Sequence, residues 1–117
     1  MRVLDLFSCV GCHALGFGRA GFETVALCEV NPWRRARLRE QWPDTPIYDD
    51  VRAPIPHKAD AVICGPPCQR TSVSAAIHGY RTGDTLWPHM LARGLDAGAE
   101  WFVVEQPPGN DALERTV

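Results

Sequence analysis

A cysteine that follows two prolines is the residue best placed to do chemistry in this 117-residue sequence. The apolar run Ala61–Cys64 predicts a buried strand, and Gly65-Pro66-Pro67 ends it, because proline fixes φ and lacks an amide proton. Cys68 comes next, so a stiff turn presents its thiol at the carboxyl end of a strand, where open α/β sheets bind ligands. A free cysteine is equally often a small buried hydrophobe. The polar residues 69–72 favour a reactive thiol instead.

Acidic residues and a glycine follow other predicted strands and suggest a ligand site at the same edge. Glu29 ends the second apolar run, and Asp50 follows the third. A carboxylate at such a place can accept hydrogen bonds from ribose hydroxyls. Gly11 would let a ligand approach the backbone, and the helix start after it offers free amide protons. The alternative is that both acids are solvated side chains at strand ends.

The turn after the first strand also carries a metal-like pattern. Residues 9–13 read CVGCH, the C-x-x-C-H form of covalent haem attachment, and C-x-x-C is also a zinc or redox signature. Haem attachment requires export, for which no signal is present. Zinc needs four ligands, and a second pair made of Cys64 and Cys68 would have to leave the end of the fourth strand. We therefore predict no metal and interpret the turn as part of a ligand-cradling βα unit.

Strands and helices alternate along the chain. This order predicts a doubly wound, mostly parallel α/β sheet in a single domain over residues 1–117. The edge beside the fifth strand is expected to be open to a partner. Strands are predicted at 2–7, 23–29, 46–48, 61–64 and 101–105, helices at 12–20, 32–42 and 86–97, and a loop at 73–84.

Local signals set the helix ends. Gly21 and Gly98 are expected just after the first and third helices. Asn31 with Pro32 should begin the second, and Thr85 should cap the third. The apolar face of the third helix is predicted to contain Leu86, Trp87, Met90, Leu91 and Leu95.

Composition limits the possible partners and compartments. The formal net charge is −2, so the balance of acidic and basic residues does not predict tight binding of a phosphate backbone by this chain alone. No apolar run approaches the ~20 residues of a membrane span. The amino terminus lacks a secretory signal, and five cysteines, an odd number, argue against a disulfide framework. The cytoplasm is the expected compartment.

Together the motifs resemble the cytosine-C5 methyltransferases that use S-adenosylmethionine. Residues 5–8, DLFS, with Gly11, Gly16 and Phe17, are similar to the first motif of that family, D-L-F-S-G-x-G-G followed by G-F. Residues 65–69, GPPCQ, resemble its catalytic P-C-Q loop, and Val104-Glu105 stands where its E-N-V motif begins. These motifs occur in order and cover most of the chain.

The resemblance implies a role for each matching residue. Cys68 would be the nucleophile and Glu105 its acid partner, acting on a cytosine flipped out of DNA. S-adenosylmethionine would be the cofactor, with Glu29 on its ribose. The other cofactor residues would be Phe7 and Gly11 beside the methionine part, Val30 against the adenine, Asp50 and Val51 at the adenine edge, and Pro67 and Leu86 in the pocket wall.

The departures from the family pattern leave two readings open. Cys9 and Cys12 replace glycines of the first motif, and Gln106-Pro107 replaces the Asn-Val of E-N-V. An arginine motif, a target-recognition domain and a closing helix are not found in these 117 residues. The chain is therefore expected to be either the catalytic half of a methyltransferase whose remainder is supplied separately, or a remnant that binds cofactor or a partner without turnover. Whether DNA or RNA is the substrate stays open.

Overall fold

A five-stranded sheet, parallel throughout, forms the centre of the described part of the chain. The computed structural model describes residues 1–68, 77 and 85–107. Of the predicted loop at 73–84 only residue 77 lies within these ranges, and the segment after 107 lies outside them. The strand order is β3-β2-β1-β4-β5. No helix within these ranges is long and apolar enough to cross a membrane. The elements are β1 Arg2–Leu6, α1 Cys12–Arg19, β2 Glu23–Cys28, α2 Pro32–Gln41, β3 Ile47–Tyr48, β4 Ala61–Cys64, α3 Trp87–Ala97 and β5 Trp101–Val104.

Every described strand pairs in parallel with its neighbour, so all five carboxyl ends meet at one edge of the sheet. Such a sheet needs cover on both faces. One face packs against α3 and against Val51, Ile55 and Ala59 from the connection after β3. The other face packs against α1 and α2 through Ala14 and Leu38. The predicted doubly wound α/β fold is confirmed.

The predicted start of α2 and the predicted glycine after α1 are also confirmed, and each helix ends one residue earlier than predicted. The side chain of Asn31 accepts hydrogen bonds from the amides of Trp33 (2.9 Å) and Arg34 (3.2 Å), so it caps α2, and Pro32 occupies the first turn. Gly21 comes directly after Ala20, the C-cap of α1, and has a φ of 91°. A left-handed residue directly after a helix is where glycine is favoured.

Two predictions about α3 are wrong. The helix begins at Trp87 with Leu86 as its N-cap, so Thr85 stands one residue too early; its hydroxyl only accepts a long 3.4 Å bond from the Trp87 amide. Leu95 is 74% exposed, because the face against the sheet is made of Trp87, Met90, Gly94 and Ala97. Their spacing of three and four residues turns Leu95 toward solvent. Gly98 ends the helix with a φ of 72°, as predicted.

Candidate cofactor and catalytic site

A cavity of about 350 Å³ lies at the carboxyl ends of β1 to β4. Its volume falls within the usual range of small-molecule sites. Seven of the eight predicted cofactor residues line it: Phe7, Glu29, Val30, Asp50, Val51, Pro67 and Leu86. Sequence reasoning missed six further lining residues: Cys9, Cys28, Arg34, Asp49, Arg52 and Gly65. Their positions could have been suspected, since each lies within a few residues of a predicted strand end.

Glu29 is the buried acid of this cavity. Its side chain is 5% exposed and is held by three donors. Oε2 accepts a hydrogen bond from the Cys9 amide at 2.9 Å. Oε1 accepts from the Asn31 amide at 3.2 Å and from Arg34 Nη1 at 3.5 Å. A buried charge is tolerated only when it is paired and hydrogen-bonded, so these contacts keep a carboxylate fixed at the cavity wall.

The turn after β1 is bent sharply toward the cavity. Phe7 and Cys9 have φ values of 60° and 54°, in the left-handed region that non-glycine residues rarely adopt. Ser8 between them is buried and anchors the turn. Its amide donates to Cys28 O at 2.9 Å and its hydroxyl to Asp5 O, also at 2.9 Å. The strained backbone is therefore held in place by its hydrogen bonds to β1 and β2.

Gly11 does not line the cavity. It is the left-handed N-cap of α1, with a φ of 91°. A Cβ placed on it would lie 2.3 Å from the Trp42 ring and 3.1 Å from Leu38. The glycine is thus needed for its backbone conformation and for packing against α2. Its predicted contact with the cofactor stays a prediction.

Asp5, the first residue of the DLFS motif, is a buried acid. Its burial could not be predicted from the sequence. Its side chain is fully buried under α1, and within the described chain neither carboxylate oxygen has a hydrogen-bond partner of normal geometry. Burial, and to a smaller extent the charge of Glu29, raise the pKa of Asp5 to about 7. The nearby Ala14 amide and Ser8 hydroxyl act in the opposite direction. Asp5 is therefore an acid that titrates near neutral pH, close to the turn after β1.

Asp50, by contrast, is a paired acid at the cavity rim. Arg52 donates to it through Nε (3.0 Å), Nη2 (3.1 Å) and its backbone amide (2.9 Å). These hydrogen bonds lower the pKa of Asp50 below its usual range. The carboxylate is charged at neutral pH, and Arg52 fixes its direction.

The predicted catalytic residues follow neighbouring strands. Glu105 follows β5 directly, and its amide donates to Cys64 O at 2.9 Å. Cys68 is a half-buried free thiol at the end of the turn after β4. Glu105 Oε2 lies 3.3 Å, and His13 Cε1 3.4 Å, from the point where a Cβ on Gly65 would stand. The carboxyl group of Glu105 thus lies close to the backbone of the Gly-Pro-Pro turn. A side chain at residue 65 would make this contact tight.

The replacement of Asn by Gln after Glu105 is accommodated. The side-chain amide of Gln106 donates a hydrogen bond to the carbonyl oxygen of Pro66. The longer side chain therefore links the end of β5 to the turn that carries Cys68.

The cysteines considered as zinc ligands lie in different environments. Cys9 lines the cavity at the strand ends, whereas Cys12 lines a separate groove beside α1. Cys64 is buried with its sulfur 3.0 Å from Met90 Sδ, and burial raises its pKa to about 12. A thiol in that environment stays protonated and is a poor zinc ligand. Within the described ranges, no three His, Cys, Asp or Glu side chains are grouped as metal ligands.

Comparison with known proteins agrees with this architecture. The family model of the C-5 cytosine-specific DNA methylases matches residues 1–96. The Type II methyltransferase M2.BsuMI of Bacillus subtilis is 36% identical in an alignment of 88 residues that covers 71% of this chain and 22% of that protein. M.NgoPII of Neisseria gonorrhoeae is 36% identical over 84 residues, covering 68% and 25%.

A crystal structure described as a DNA modification methyltransferase encoded within an E. coli prophage superposes with a TM-score of 0.71 at 26% identity. It covers 93% of this chain and 32% of that one. The chain thus spans between 22% and 32% of the length of these relatives. With the family match over more than half of its residues, the chain belongs to the C-5 cytosine-specific DNA methylases.

Proposed function

We propose that this chain is the cofactor-binding and catalytic portion of a DNA cytosine-5 methyltransferase that uses S-adenosylmethionine. The main observation in its support is that the buried carboxylate of Glu29 and Pro67, the residue before Cys68, line the same cavity. Gly65, the first residue of the Gly-Pro-Pro turn that leads to Cys68, lies close to the carboxyl group of Glu105. A cofactor site and a nucleophile–acid pair would therefore share one edge of the sheet.

The cavity residues fit the proposed cofactor. Glu29 is already oriented by the Cys9 and Asn31 amides and can accept hydrogen bonds from ribose hydroxyls. Exposed Val30 offers an apolar surface to the adenine, with Asp50 and Val51 at its edge. Phe7 and Gly11 would border the methionine part, and Pro67 with Leu86 would complete the wall. When bound, the cofactor would supply an electrophilic methyl group.

The reaction follows from what the two catalytic side chains can do. Cytosine C5 is a weak nucleophile, so the thiolate of Cys68 would add to C6 while the carboxyl group of Glu105 hydrogen-bonds N3. Electron density then moves to C5, which takes the methyl group. Loss of the C5 proton would expel Cys68 and restore the ring. Cys28, also at the cavity, is excluded from this role because burial raises its pKa to about 12.

DNA is the proposed partner, and a further part of the enzyme is required to hold it. The target cytosine must be flipped out of the duplex to reach Cys68. The portion matched makes up only 22–25% of the curated relatives, and the net charge of −2 gives this chain little attraction for DNA by itself. We propose that the target-recognition and closing segments belong to the remainder of the enzyme. Cytoplasmic location also stays a prediction.

A methylation assay tests this proposal. With tritiated S-adenosylmethionine and cytosine-rich duplex DNA, the 117 residues alone should show no turnover, because nothing holds the flipped base in position. Adding a chain with the arginine motif, target-recognition domain and closing helix should produce activity, which Cys68→Ala abolishes. Robust methylation by the chain alone would contradict the need for a partner. Activity that survives Cys68→Ala would contradict the nucleophile assignment.

The second reading is a non-catalytic remnant that binds cofactor or a partner without turnover. The preserved Cys68 and Glu105 at adjacent strand ends favour the catalytic reading over it. Complemented protein that binds the cofactor yet leaves DNA unmethylated would favour the remnant. A reading frame downstream that begins with the missing motifs would favour the split enzyme.

A further inference from the structure

The part of the cavity wall that carries Asp50 is a turn without regular secondary structure. It belongs to the connection between β3 and β4. The Ala53 amide donates to Asp50 O at 3.1 Å, which closes a turn over residues 50–53. In the same turn, the carboxylate of Asp50 accepts from the Arg52 amide at 2.9 Å. The direction of this carboxylate therefore depends on how the backbone of the turn is held.

The ion pair inside the turn is too exposed to hold the backbone by itself. The side chains of Arg52 and Asp50 are 63% and 37% exposed. Exposed ion pairs contribute little, because water and salt screen the charges and the side chains lose freedom when they pair. The turn is therefore expected to need a contact from another element.

Arg93 supplies such a contact from α3. Its Nη1 donates to Arg52 O at 3.3 Å, and its Nη2 is paired with the carboxylate of Asp96 at 3.1 Å. The Arg93 side chain is only 12% exposed. A guanidinium group holds its donors in a fixed planar arrangement. The ion pair with Asp96 therefore orients the donor that reaches Arg52.

Two more hydrogen bonds join this connection to α3, at the end that leads into β4. Lys58 Nζ donates to Asp96 O at 2.8 Å. The Ala59 amide donates to Ala97 O at 3.2 Å. Of these three contacts between the described residues, only the one from Arg93 reaches a residue that lines the cavity.

We infer that Arg93 is a positioning residue that gives the cofactor site its preference for adenine. This rests on the proposed function, in which Asp50 lies at the adenine edge. An ionised carboxylate only accepts hydrogen bonds, so it suits the amine at C6 of adenine and disfavours the oxygen that hypoxanthine carries there. The preference requires the carboxylate to keep its direction. Arg93 maintains that direction through the backbone of Arg52, although Arg93 itself does not line the cavity.

Calorimetry on the 117-residue chain with two cofactor analogues tests this role. S-adenosylhomocysteine carries the C6 amine, and S-inosylhomocysteine carries oxygen in its place. The wild type should bind the first at least about tenfold more tightly, because the second leaves the carboxylate without a donor. Arg93→Met keeps an apolar stem but removes the donors, and it should lower this ratio at least about threefold. Arg93→Lys, which keeps a charged donor, should recover part of it.

The ratio separates positioning from stability, since a general loosening of the fold weakens both analogues alike. Arg37→Met is the matched control, because it removes an ion pair of the same i,i+3 spacing, 3.2 Å from Glu40, on α2. Its ratio should equal that of the wild type. An unchanged ratio in Arg93→Met, or an equal fall in Arg37→Met, would overturn the proposal.

Hydrogen exchange without ligand distinguishes failure of this inference from failure of the proposed function. The amides of Arg52 and Ala53, both bonded to Asp50, should exchange at least about threefold faster in Arg93→Met than in the wild type or Arg37→Met. Unchanged exchange would overturn the positioning role whatever the chain binds. A wild-type chain that binds neither analogue would instead contradict the proposed function, and the adenine preference would be overturned with it.

Discussion

The backbone amide of Cys9 donates a 2.9 Å hydrogen bond to Glu29 Oε2, which joins the turn after β1 to the end of β2. The two residues are twenty positions apart in the sequence and meet because β1 and β2 pair in parallel. The carboxylate of Glu29 therefore holds the turn after β1 in place and also lines the cavity.

Glu29→Ala should weaken S-adenosylmethionine binding by about 1–3 kcal/mol, because ribose hydroxyls and the Cys9 amide would both lose their acceptor. Isothermal calorimetry measures the change. Glu23→Ala, an exposed acid at the other end of β2, serves as the control and should bind normally. Unchanged affinity for Glu29→Ala would show that the ribose assignment is wrong.

Cys9→Gly should leave stability unchanged or raise it by up to about 1 kcal/mol. The substitution relieves a side chain held at a φ of 54°, but it also gives the unfolded chain more freedom. It should tighten cofactor binding, because Cys9 lines the cavity. Urea unfolding and calorimetry give the two numbers. A loss of stability well above 1 kcal/mol would mean that the thiol makes a contact more valuable than the strain it causes.

Asp5 should make stability depend on pH. Its folded pKa of about 7 lies above the unfolded value of 3.8, so its stabilising contribution is fully present below that value and is lost as the pH rises through about 7. The loss should approach ~1 kcal/mol per pH unit between these limits. Asp5→Asn cannot titrate, so the difference in unfolding free energy between variant and wild type should change by this slope between pH 4 and about 7 and level off above it. A constant difference would show that Asp5 keeps an ordinary pKa in the folded state.

Gly94→Ala should destabilise the protein even though alanine is the better helix former. A Cβ at this position would lie 2.1 Å from the Phe102 ring, so the ring or α3 must move, at a cost of about 1–3 kcal/mol. Gly18→Ala in α1 has open space and should instead stabilise by about 0.5–1 kcal/mol. Thermal unfolding of both variants makes the comparison. Stabilisation by Gly94→Ala would mean that Phe102 repacks freely.

The sequence by itself determined the elements and the family. The bounds of β4 follow from a four-residue apolar run stopped by Gly-Pro-Pro, and the start of α2 follows from Asn31 and Pro32. These signals are local, because a cap or a proline acts on its own turn. The DLFS and GPPCQ motifs likewise sit at strand ends, which a parallel sheet brings to one edge.

Only the tertiary structure decided which neighbours those elements meet. Gly11 is needed because Trp42, thirty-one residues later, occupies the space of its side chain, and Leu95 is exposed because Gly94 meets Phe102. The raised pKa of Asp5 arises from burial under α1. Each effect depends on atoms that are distant in sequence and close in space. Periodicity predicts that a residue has a buried face, but packing of one layer on another decides what lies against it.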